Sequence, residues 1–484
     1  MKSRLFCFVF LLTLLLSACG RPPAETATVP AATDIPSPTP PPAPADTPTQ
    51  TPLPATATPE PPAYPFYRMD VFVDYAAHYV AVEETITYPN LTGETLTGLV
   101  LAVEPNFWPE CFVLSELLVD GQAPAFTLNG HFLEITLPAP LPPDGTVGVH
   151  VRYALNLPWA EMFVNPNDTR PRIFGWMARQ TNLVHWYPFI VPYQPGLGWV
   201  LHDPYVYGEH LVYDPADFEV TLRFADPANA PVVASSGAAE TIDDVTVYRM
   251  QRGRTFVFSF SPEYGVYSQQ VGDVTVYSYY FPLYEDRGQA VLRETARAVE
   301  LYSERFGPYP HATLSAVAAD FADGMEYSGL YFLSRDFYKT YDGTPQGYLT
   351  IIAVHETAHM WWFDLVGNDQ ALEPWLDESL CTYTEHIFYE TYYPELVGWW
   401  WAYRGDPYPS ADWVDLPVAA TNSYESYRRA VYLNGAYFLD ALRQRIGDEA
   451  FFAFLADYAA QFRFRRATAA DFFAVLRQHT AADF

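Results

Sequence analysis

Short runs of alternating apolar and polar residues, separated by turn residues, fill the stretch from residue 67 to residue 268. Clear examples are the segments 79–82, 131–137 and 218–224. An alternation of period two is typical of strands that bury one face. No long helical period interrupts these runs, so the pattern predicts an antiparallel β domain over residues 66–271.

The apolar pattern changes to a helical spacing near residue 290. The residues that follow this spacing are Leu292, Ala296, Val299, Tyr302 and Phe306. Gly307 and Pro308 then end the predicted helix. Two short apolar runs, 314–318 and 330–333, predict strands, and later helical patterns cover about 428–446 and the residues towards 478. We therefore expect an α+β protein whose second domain, residues 272–484, combines a small sheet with helices.

The first 18 residues have the composition of a secretory signal peptide. Lys2 and Arg4 precede an uncharged apolar run, residues 5–16, which is too short to cross a bilayer. The run leads into Leu-Ser-Ala-Cys, which resembles a bacterial lipobox and would make Cys19 the lipid-carrying first residue of the mature protein. From there to residue 65, Pro, Thr and Ala dominate and predict an extended linker. We expect a protein tethered through Cys19 to the extracytoplasmic face of a cell membrane.

The composition is strongly acidic. The chain has 57 Asp and Glu against 27 Lys and Arg, a formal net charge of −30 at pH 7. Such a charge argues against binding to nucleic acid and against a broad electrostatic grip on anionic lipid. Beyond Cys19, only Cys111 and Cys381 remain. They could form a disulfide, but we expect two separate buried thiols, because the pattern places them in different domains.

The segment from His355 to His359 reads His-Glu-Thr-Ala-His. Residues four apart lie on the same face of a helix, so both imidazoles can bind one metal ion. Glu378, in a second predicted helix that Pro374 opens, supplies a third ligand, and two histidines with one glutamate are an established zinc set that leaves a position for water. Glu356 points roughly 100° around the helix from His355, which suits a base acting on that water.

Histidines can also serve as plain hydrogen-bonding residues. In the segment 355–359 this alternative is disfavoured, because the flanking segments 351–354 and 360–363 are apolar and unsatisfied polar side chains are costly to bury there. For the candidate histidines outside this segment, a plain hydrogen-bonding role is favoured, because their spacing fits no compact set of metal ligands. Those candidates are His150, His185, His202 and His210. We therefore expect one zinc ion.

Together these motifs make the chain similar to the aminopeptidase N family of gluzincin zinc peptidases. His359 and Glu378 are separated by 18 residues, 360–377, as in that family. The segment 359–366, His-Met-Trp-Trp-Phe-Asp-Leu-Val, resembles the family's His-Gln-Trp-Phe-Gly-Asn-x-Val. The segment 323–327, Asp-Gly-Met-Glu-Tyr, resembles its Gly-x-Met-Glu-Asn exopeptidase motif, and the segment 431–436 resembles the one that carries a catalytic tyrosine.

The resemblance implies roles for four more residues. Tyr432 would donate a hydrogen bond to the oxygen that becomes negatively charged when the scissile carbonyl is attacked. Glu326 would pair with the free α-amine of the substrate, so that cleavage releases the first residue. Gly324 and Met325, which precede Glu326 in this motif, would also bind the substrate.

The sequence also departs from the family pattern. Asp323 and Tyr327 replace the Gly and Asn of the exopeptidase motif, and Asp364 replaces an Asn beside the metal helix. The resemblance further implies that a saddle-shaped N-terminal sheet covers one side of the active cleft. In relatives this domain lends a Gln or Glu to the substrate amine, and Gln180 or Asn182 is the candidate counterpart.

These features predict a zinc-dependent aminopeptidase that acts on peptides, exported and held at a membrane by its lipid. Because only a short stretch follows Tyr432 in this sequence, we expect a more open cleft than in larger relatives. Two alternatives stay open: an endopeptidase that uses this open cleft, and a surface binding module without turnover. The presence of Glu356 argues against the module, since binding alone does not need a general base.

Overall fold

The structure is a computed structural model that describes residues 64–160, 172–242, 245–405 and 412–482. The signal peptide and the linker up to residue 63 lie outside the described residues, so lipidation of Cys19 stays a prediction. The described residues belong to one unit, Pro62–Phe484. None of the helices in this described part combines the length and apolarity that a bilayer crossing requires.

The first part of the described chain is built from strands, as the alternating pattern predicts. Their bounds are β1 Phe66–Asp74, β2 Tyr79–Pro89, β3 Leu96–Ala102, β4 Phe112–Val119, β5 Phe126–Asn129, β6 Phe132–Leu141, β7 Thr146–Asn156, β8 Gly175–Trp176, β9 Thr181–Leu183, β10 Phe189–Ile190, β11 Tyr193–Gln194, β12 Gly198–Trp199, β13 Ala216–Phe224, β14 Val232–Ser235, β15 Ala238–Ile242, β16 Val245–Gly253 and β17 Phe258–Ser261. Buried and exposed residues alternate along β1, so one face of this strand packs on the core. Short 3-10 helices at Glu104–Phe107 and Pro227–Asn229 interrupt the strands.

The largest sheet among the described residues has the strand order β15-β16-β13-β1-β2-β7-β4. Smaller sheets have the orders β10-β3-β6-β5, β14-β17-β9-β8 and β11-β12. Most neighbours are antiparallel, as predicted, but β1 and β13 run parallel, with Phe66 opposite Asp217. The alternating pattern could not reveal this pair, because it reports which face of a strand is buried and not the direction of its neighbour.

A second sheet lies at the start of the helical part. Its strands are β18 Gly265–Val271, β19 Val274–Tyr280, β20 Thr313–Ala319, β21 Gly324–Tyr327 and β22 Leu330–Ser334, in the order β18-β19-β20-β22-β21. Strands β18 and β19 form an antiparallel hairpin, so the predicted domain boundary at residue 271 falls inside this hairpin. The five-stranded sheet therefore begins at Gly265, and the period-two pattern of the strands continues across that point without a change.

Helices make up most of the remaining chain. Their bounds are α1 Glu285–Phe306, α2 Arg335–Thr340, α3 Tyr348–Ala358, α4 Trp375–Tyr392, α5 Val397–Arg404, α6 Tyr424–Tyr427, α7 Gly435–Ile446, α8 Asp448–Gln461 and α9 Ala469–His479. Short 3-10 helices lie at Pro282–Tyr284, Pro394–Leu396 and Val418–Ala420, π-helical segments at Met360–Leu365 and Arg428–Asn434, and the strands β23 Val366–Gly367 and β24 Arg465–Arg466 pair in parallel. Helix α1 ends at Gly307, whose φ of 99° favours glycine, as the sequence predicts.

The strand-rich and helical parts share buried contacts. The guanidinium of Arg254, which follows β16, donates hydrogen bonds to the carbonyls of Tyr213, Asp364 and Arg465 at 2.8, 2.9 and 2.8 Å. Burial lowers the pKa of Arg254 to about 10. This side chain therefore joins the strand-rich part to the π-helical segment Met360–Leu365 and to β24.

The two cysteines of the described chain, Cys111 and Cys381, are buried free thiols. The prediction of separate thiols is confirmed, and the disulfide alternative is excluded. Cys111 lies just before β4, in the strand-rich part, whereas Cys381 lies on α4.

Candidate metal centre

The His-Glu-Thr-Ala-His segment occupies the C-terminal end of α3. The helix ends at Ala358, and His359 is its C-cap with helical dihedral angles, φ −60° and ψ −17°. The amide of His359 donates to the carbonyl of His355 at 3.3 Å, so the turn between the two histidines is intact. The chain then continues as the π-helical segment Met360–Leu365. Both imidazoles consequently lie on one face, as the spacing predicts.

Three donor atoms converge between α3 and α4. Nε2 of His355 lies 3.2 Å from Nε2 of His359 and 3.2 Å from Oε2 of Glu378, and Nε2 of His359 lies 3.6 Å from the same oxygen. Donors about 2.0 to 2.1 Å from a tetrahedral zinc ion are separated from one another by about 3.3 Å. All three side chains are buried. The donor types, their spacing and their burial therefore fit a zinc ion.

Glu356 lies next to this ligand set with its carboxylate turned towards β21. A Cβ atom added to Gly324 would lie 2.2 Å from Oε1 of Glu356, so only glycine leaves room for this carboxylate. Burial raises the pKa of Glu356 well above its ordinary value, His359 opposes the shift, and the carboxylates of Glu326 and Glu378 add to it. A buried carboxylate with a raised pKa beside the metal ligands suits proton transfer.

Glu326 is held inside the same site by its strand and by an amide. It lies on β21, and Nε2 of Gln370 donates to its Oε1 at 3.0 Å. The same Gln370 amide donates to Oδ2 of Asp377 at 2.7 Å. Ligand-type atoms of Glu326, Glu356 and His359 all lie within 4.8 Å of one another. The structure therefore brings Glu326 next to the candidate metal ligands, and no local pattern in the sequence signals its partner Gln370.

Tyr432 stacks on His355, one of the three candidate metal ligands. The two rings are 6.0 Å apart with an interplanar angle of 13°, and Tyr427 packs edge-on against Tyr432 at 5.7 Å. Tyr432 belongs to the π-helical segment Arg428–Asn434. Burial raises the pKa of Tyr432 well above its ordinary value, and the charge of Glu378 adds to the shift. The phenol therefore keeps its proton and can act as a hydrogen-bond donor.

Glu385 is a site residue that the sequence reasoning missed. Its Oε1 lies 2.7 Å from Nδ1 of His355, on the side of the ring opposite the metal-facing nitrogen. The buried Arg404 donates to Glu385 at 2.9 Å, and Nε1 of Trp400 donates at 3.1 Å. A carboxylate in this place fixes the tautomer and the orientation of a ligating histidine. Its position seven residues after Glu378, on the same face of α4, is the signal that could have revealed it.

The departures from the family motifs have local explanations. Asp323 has a φ of 76°, a left-handed conformation that Gly adopts freely and that Asp tolerates better than most residues. Its Oδ1 accepts the amide of Gly324 at 3.0 Å. Asp364 is fully buried, pairs with His311 and accepts a hydrogen bond from Ser328. Neither aspartate removes a metal ligand.

Gln180 and Asn182, the candidate partners of a substrate amine, do not line the cavity of this site. Oε1 of Gln180 accepts the amide of Asp320 at 2.7 Å, and its Nε2 donates to Oδ1 of Asn182 at 3.0 Å. Both side chains are fully buried in this structural network. The interpretation of these residues as amine partners is therefore wrong, and the described strand-rich part of the chain contributes two other carboxylates, Glu104 and Glu209, to the cavity wall.

A cavity of about 710 Å³ opens onto the metal centre. Its wall contains the ligands, Glu356, Glu326 and Tyr432, together with Gly324, Met325 and residues from the strand-rich part of the chain. A volume of this size lies in the range typical of ligand sites. The arrangement can therefore hold a substrate with one end at the carboxylate of Glu326 and a bond to be cleaved at the metal ligands.

Comparison with known proteins agrees with this geometry. Residues 291–484 match the model of the Peptidase family M1 domain. Aminopeptidase M1-D from Oryza sativa subsp. japonica is 27% identical over 210 residues, which cover 40% of this chain and 24% of that protein. Aminopeptidase N from Streptomyces lividans is 24% identical over 303 residues, which cover 56% of this chain and 35% of that protein. The chain thus spans about a quarter to a third of the length of these curated relatives.

Solved structures resemble the chain over most of its length. The M1 zinc metallopeptidase from Deinococcus radiodurans matches with a TM-score of 0.61 and 21% identity, over 86% of this chain and 90% of that one. A mutant of the M1 zinc metallopeptidase from the same organism, bound to a Tyr-Ser-Ala substrate, matches with a TM-score of 0.61 and 22% identity, over 87% of this chain and 91% of that one. At these identities the likeness establishes a shared fold, an N-terminal β-rich region followed by a helical domain.

We expect the substitution Glu385→Gln to weaken zinc binding by about 10- to 100-fold, because His355 loses the carboxylate that orients its ring. The measurement is a competition titration of zinc against a chelator. Glu390→Gln is the matched control, since Glu390 lies on the same helix and also pairs with an arginine, Arg443, at 2.6 Å. Circular dichroism of both variants without metal separates lost affinity from lost folding. Unchanged affinity in folded Glu385→Gln protein would contradict the positioning role.

Proposed function

We propose that this chain, which carries a peptidase family M1 domain of the aminopeptidase N-like gluzincin type, is a zinc-dependent aminopeptidase that releases N-terminal residues from peptides. One observation carries the proposal: the buried carboxylate of Glu326 lies within the same cluster as Glu356 and the ligand His359. A carboxylate there can bind the charged α-amine of a peptide. An endopeptidase has no need of such a group at the end of its cleft.

A zinc ion held by His355, His359 and Glu378 would activate a water molecule and polarise the carbonyl of the bond to be cleaved. Glu356 accepts a proton from the attacking water and delivers it to the departing nitrogen, because an amine leaves only after protonation. Tyr432 donates its phenol proton in a hydrogen bond to the oxygen on which negative charge develops. The proposal is supported by the cavity lining, which includes all five of these side chains.

Glu326 determines where cleavage falls. Its carboxylate is buried, and Gln370 holds it by a hydrogen bond to one oxygen. An ammonium group that reaches this carboxylate replaces its lost hydration with a charge-assisted hydrogen bond, worth roughly 1.5–3 kcal/mol. Ligand-type atoms of Glu326, Glu356 and His359 lie within 4.8 Å of one another. A substrate whose first nitrogen is bound by Glu326 therefore presents its first peptide bond to Glu356.

We test the proposal with a panel of aminoacyl chromogenic amides and the same compounds N-acetylated. We expect kcat/KM to be about tenfold to a hundredfold higher for the compounds with a free amine than for the N-acetylated ones, because only a free amine gains the energy of the contact with Glu326. Glu326→Gln should reduce this preference, whereas Glu395→Gln, which changes an exposed carboxylate, should preserve it. Glu356→Gln should lower kcat by about 10²- to 10⁴-fold and retain zinc.

Other outcomes of this panel identify the competing functions. Equal cleavage of acetylated and free substrates, both by the unmodified protein and by the Glu326→Gln variant, would identify an endopeptidase. Zinc binding without hydrolysis of any compound in a broad panel would identify a binding module. A Glu356→Gln variant that cleaves as fast as the unmodified protein would remove Glu356 from the mechanism.

We also propose that the protein is exported and lipid-anchored through Cys19. The support is the sequence alone: the charged start, the short apolar run and the Leu-Ser-Ala-Cys segment. The acidic head would then act on peptides outside the cell, at the end of a Pro-rich linker.

We expect Cys19→Ser to abolish incorporation of labelled palmitate and to move the protein out of the membrane fraction. Cys7→Ser is the matched control, because Cys7 lies in the same leader but within its apolar run. Labelling and fractionation of bacteria that express each variant provide the measurement. Equal labelling of the Cys19→Ser variant and the unmodified protein would overturn the lipid anchor.

A further inference from the structure

Strand β21 lies at the edge of the five-stranded sheet and borders the substrate cavity. In the described part of the chain, β22 pairs with one edge of β21 and no strand pairs with the other. The cavity wall contains every residue of β21 and also Asp323, the residue before it. An unpaired strand edge offers its backbone N–H and C=O groups to an extended peptide. A peptide in the cavity can therefore lie along β21.

The side chains of β21 determine the direction in which such a peptide runs. Glu326 is the carboxylate that would bind the first nitrogen, and Gly324, two residues earlier in the strand, lies against the carboxylate of Glu356. The bond at which Glu356 acts is therefore level with Gly324. Tyr327, at the opposite end of the strand, is 1% exposed and closes that direction. The part of the peptide beyond the cleaved bond consequently points towards Asp323.

The spacing of residues along the strand agrees with this placement. A strand rises about 3.3 Å per residue, so Asp323 lies roughly 10 Å from Glu326 along β21. An extended peptide advances by about the same step. When its first nitrogen is at Glu326, its second and third residues lie beside Gly324 and Asp323. The long side chain of a lysine or arginine at either position then reaches the carboxylate of Asp323.

Asp323 holds its carboxylate in this place in a strained backbone conformation. Its φ of 76° lies in the left-handed region, which glycine adopts freely and aspartate adopts with strain. The exopeptidase motif that this segment resembles has Gly at the same position. The side chain of Asp323 is exposed, so burial in a core does not account for the presence of a carboxylate here. Strained residues of this kind concentrate at functional sites.

Two hydrogen bonds orient the carboxylate of Asp323. Its Oδ1 accepts from the amide of Gly324 at 3.0 Å, and its Oδ2 accepts from the phenol of Tyr424, on α6, at 3.3 Å. Burial raises the pKa of Tyr424, and the charge of Asp323 adds to the shift, so the phenol is the donor. A carboxylate has about four acceptor positions. This exposed side chain therefore keeps positions open for a cation from the substrate.

The arginines of the same wall already have carboxylate partners. The guanidinium of Arg428 lies 3.3 Å from Oε1 of Glu425. Arg404 is buried and pairs with Glu385 at 2.9 Å. The charge of each arginine is balanced by its own glutamate, so the carboxylate of Asp323 gives this part of the wall a negative charge.

We propose that Asp323 selects peptides with a lysine or arginine at the second or third residue, beyond the cleaved bond. The inference rests on the proposed aminopeptidase function, because it takes the position of the N-terminus from Glu326. A cationic side chain forms a charge-assisted hydrogen bond with Asp323, whereas a glutamate at the same place is repelled. Because Asp323 is exposed, each effect changes affinity by a factor of about two to five.

Calorimetric titration of the zinc-loaded, full-length Glu356→Gln protein with tripeptides tests this selection without turnover. The peptides are Ala-Xaa-Ala and Ala-Ala-Xaa, with lysine, glutamine or glutamate as Xaa. We expect the lysine peptide of at least one series to bind about fourfold to twenty-five-fold more tightly than the glutamate peptide, with glutamine between them. Adding Asp323→Asn or Asp323→Gly should reduce this ratio towards one. Asparagine and glycine both tolerate the left-handed backbone, so neither change should disturb folding.

Asp336→Asn in the same background is the matched control, because Asp336 is an exposed aspartate on α2 and does not line the cavity. This variant should keep the ratio between lysine and glutamate peptides. Lys-Ala-Ala and Glu-Ala-Ala report on the first residue, and their ratio should not respond to either Asp323 variant. A lysine-to-glutamate ratio near one, a ratio that survives both Asp323 variants, or a response confined to the first residue would overturn the proposal.

Cleavage of aminoacyl chromogenic amides separates this inference from the proposed function. These compounds have no second residue, so their hydrolysis measures the aminopeptidase function alone. The tripeptide affinities need no hydrolysis and measure the selection by Asp323 alone. Failure to cleave the amides would therefore count against the proposed function, whereas no measurable binding of any tripeptide would overturn the role of Asp323.

Discussion

The convergence of His355, His359 and Glu378 on one buried point is the constraint that the rest of the site depends on. Three polar donors within 3.2 to 3.6 Å of one another, all buried, are costly unless a cation binds between them. Their positions require α3 and α4 to be held in register. Nε1 of Trp362, in the π-helical segment after α3, supports this by donating to Oγ1 of Thr384 on α4 at 3.1 Å.

Glu385 extends this constraint beyond the ligands. Its carboxylate accepts from Arg404 and Trp400 and contacts His355, so α5 is joined through α4 to the metal helix. The positive charge of Arg404 is buried and is compensated by Glu385 alone among the ion pairs of the described residues. Breaking such a buried pair would leave an uncompensated charge in the interior, which is strongly destabilising.

Local sequence signals predicted the elements of the site well. The i, i+4 histidines, the helix stop at Gly307 and the helix after Pro374 all follow from periodicity and from Gly and Pro chemistry, and the structure places them accordingly. The pairing of Glu326 with Gln370 could not be predicted in this way, because 43 residues lie between them (residues 327–369) and only the fold brings them together. The role of Gly324 likewise appears only when Glu356 is seen beside it.

Contacts among loop residues show the same limit more sharply. Glu104, His131 and His210 lie close together in the folded chain, with Oε2 of Glu104 3.3 Å from Nε2 of His210. They come from a 3-10 helix, a hairpin turn and a loop, and such residues share no period along the chain. Motifs carried by helices are therefore visible in a sequence, whereas clusters assembled from loops become visible only in the folded chain.

The most direct test of the central claim, that Glu326 fixes the N-terminus of a peptide at the zinc centre, is a time course of products from one unmodified ten-residue peptide. Mass spectrometry identifies every fragment as it forms. If Glu326 fixes the N-terminus, the products are free amino acids and a ladder of peptides shortened one residue at a time from the N-terminus. Early fragments of several residues that retain the original N-terminus would show cleavage at an internal bond and would contradict this claim.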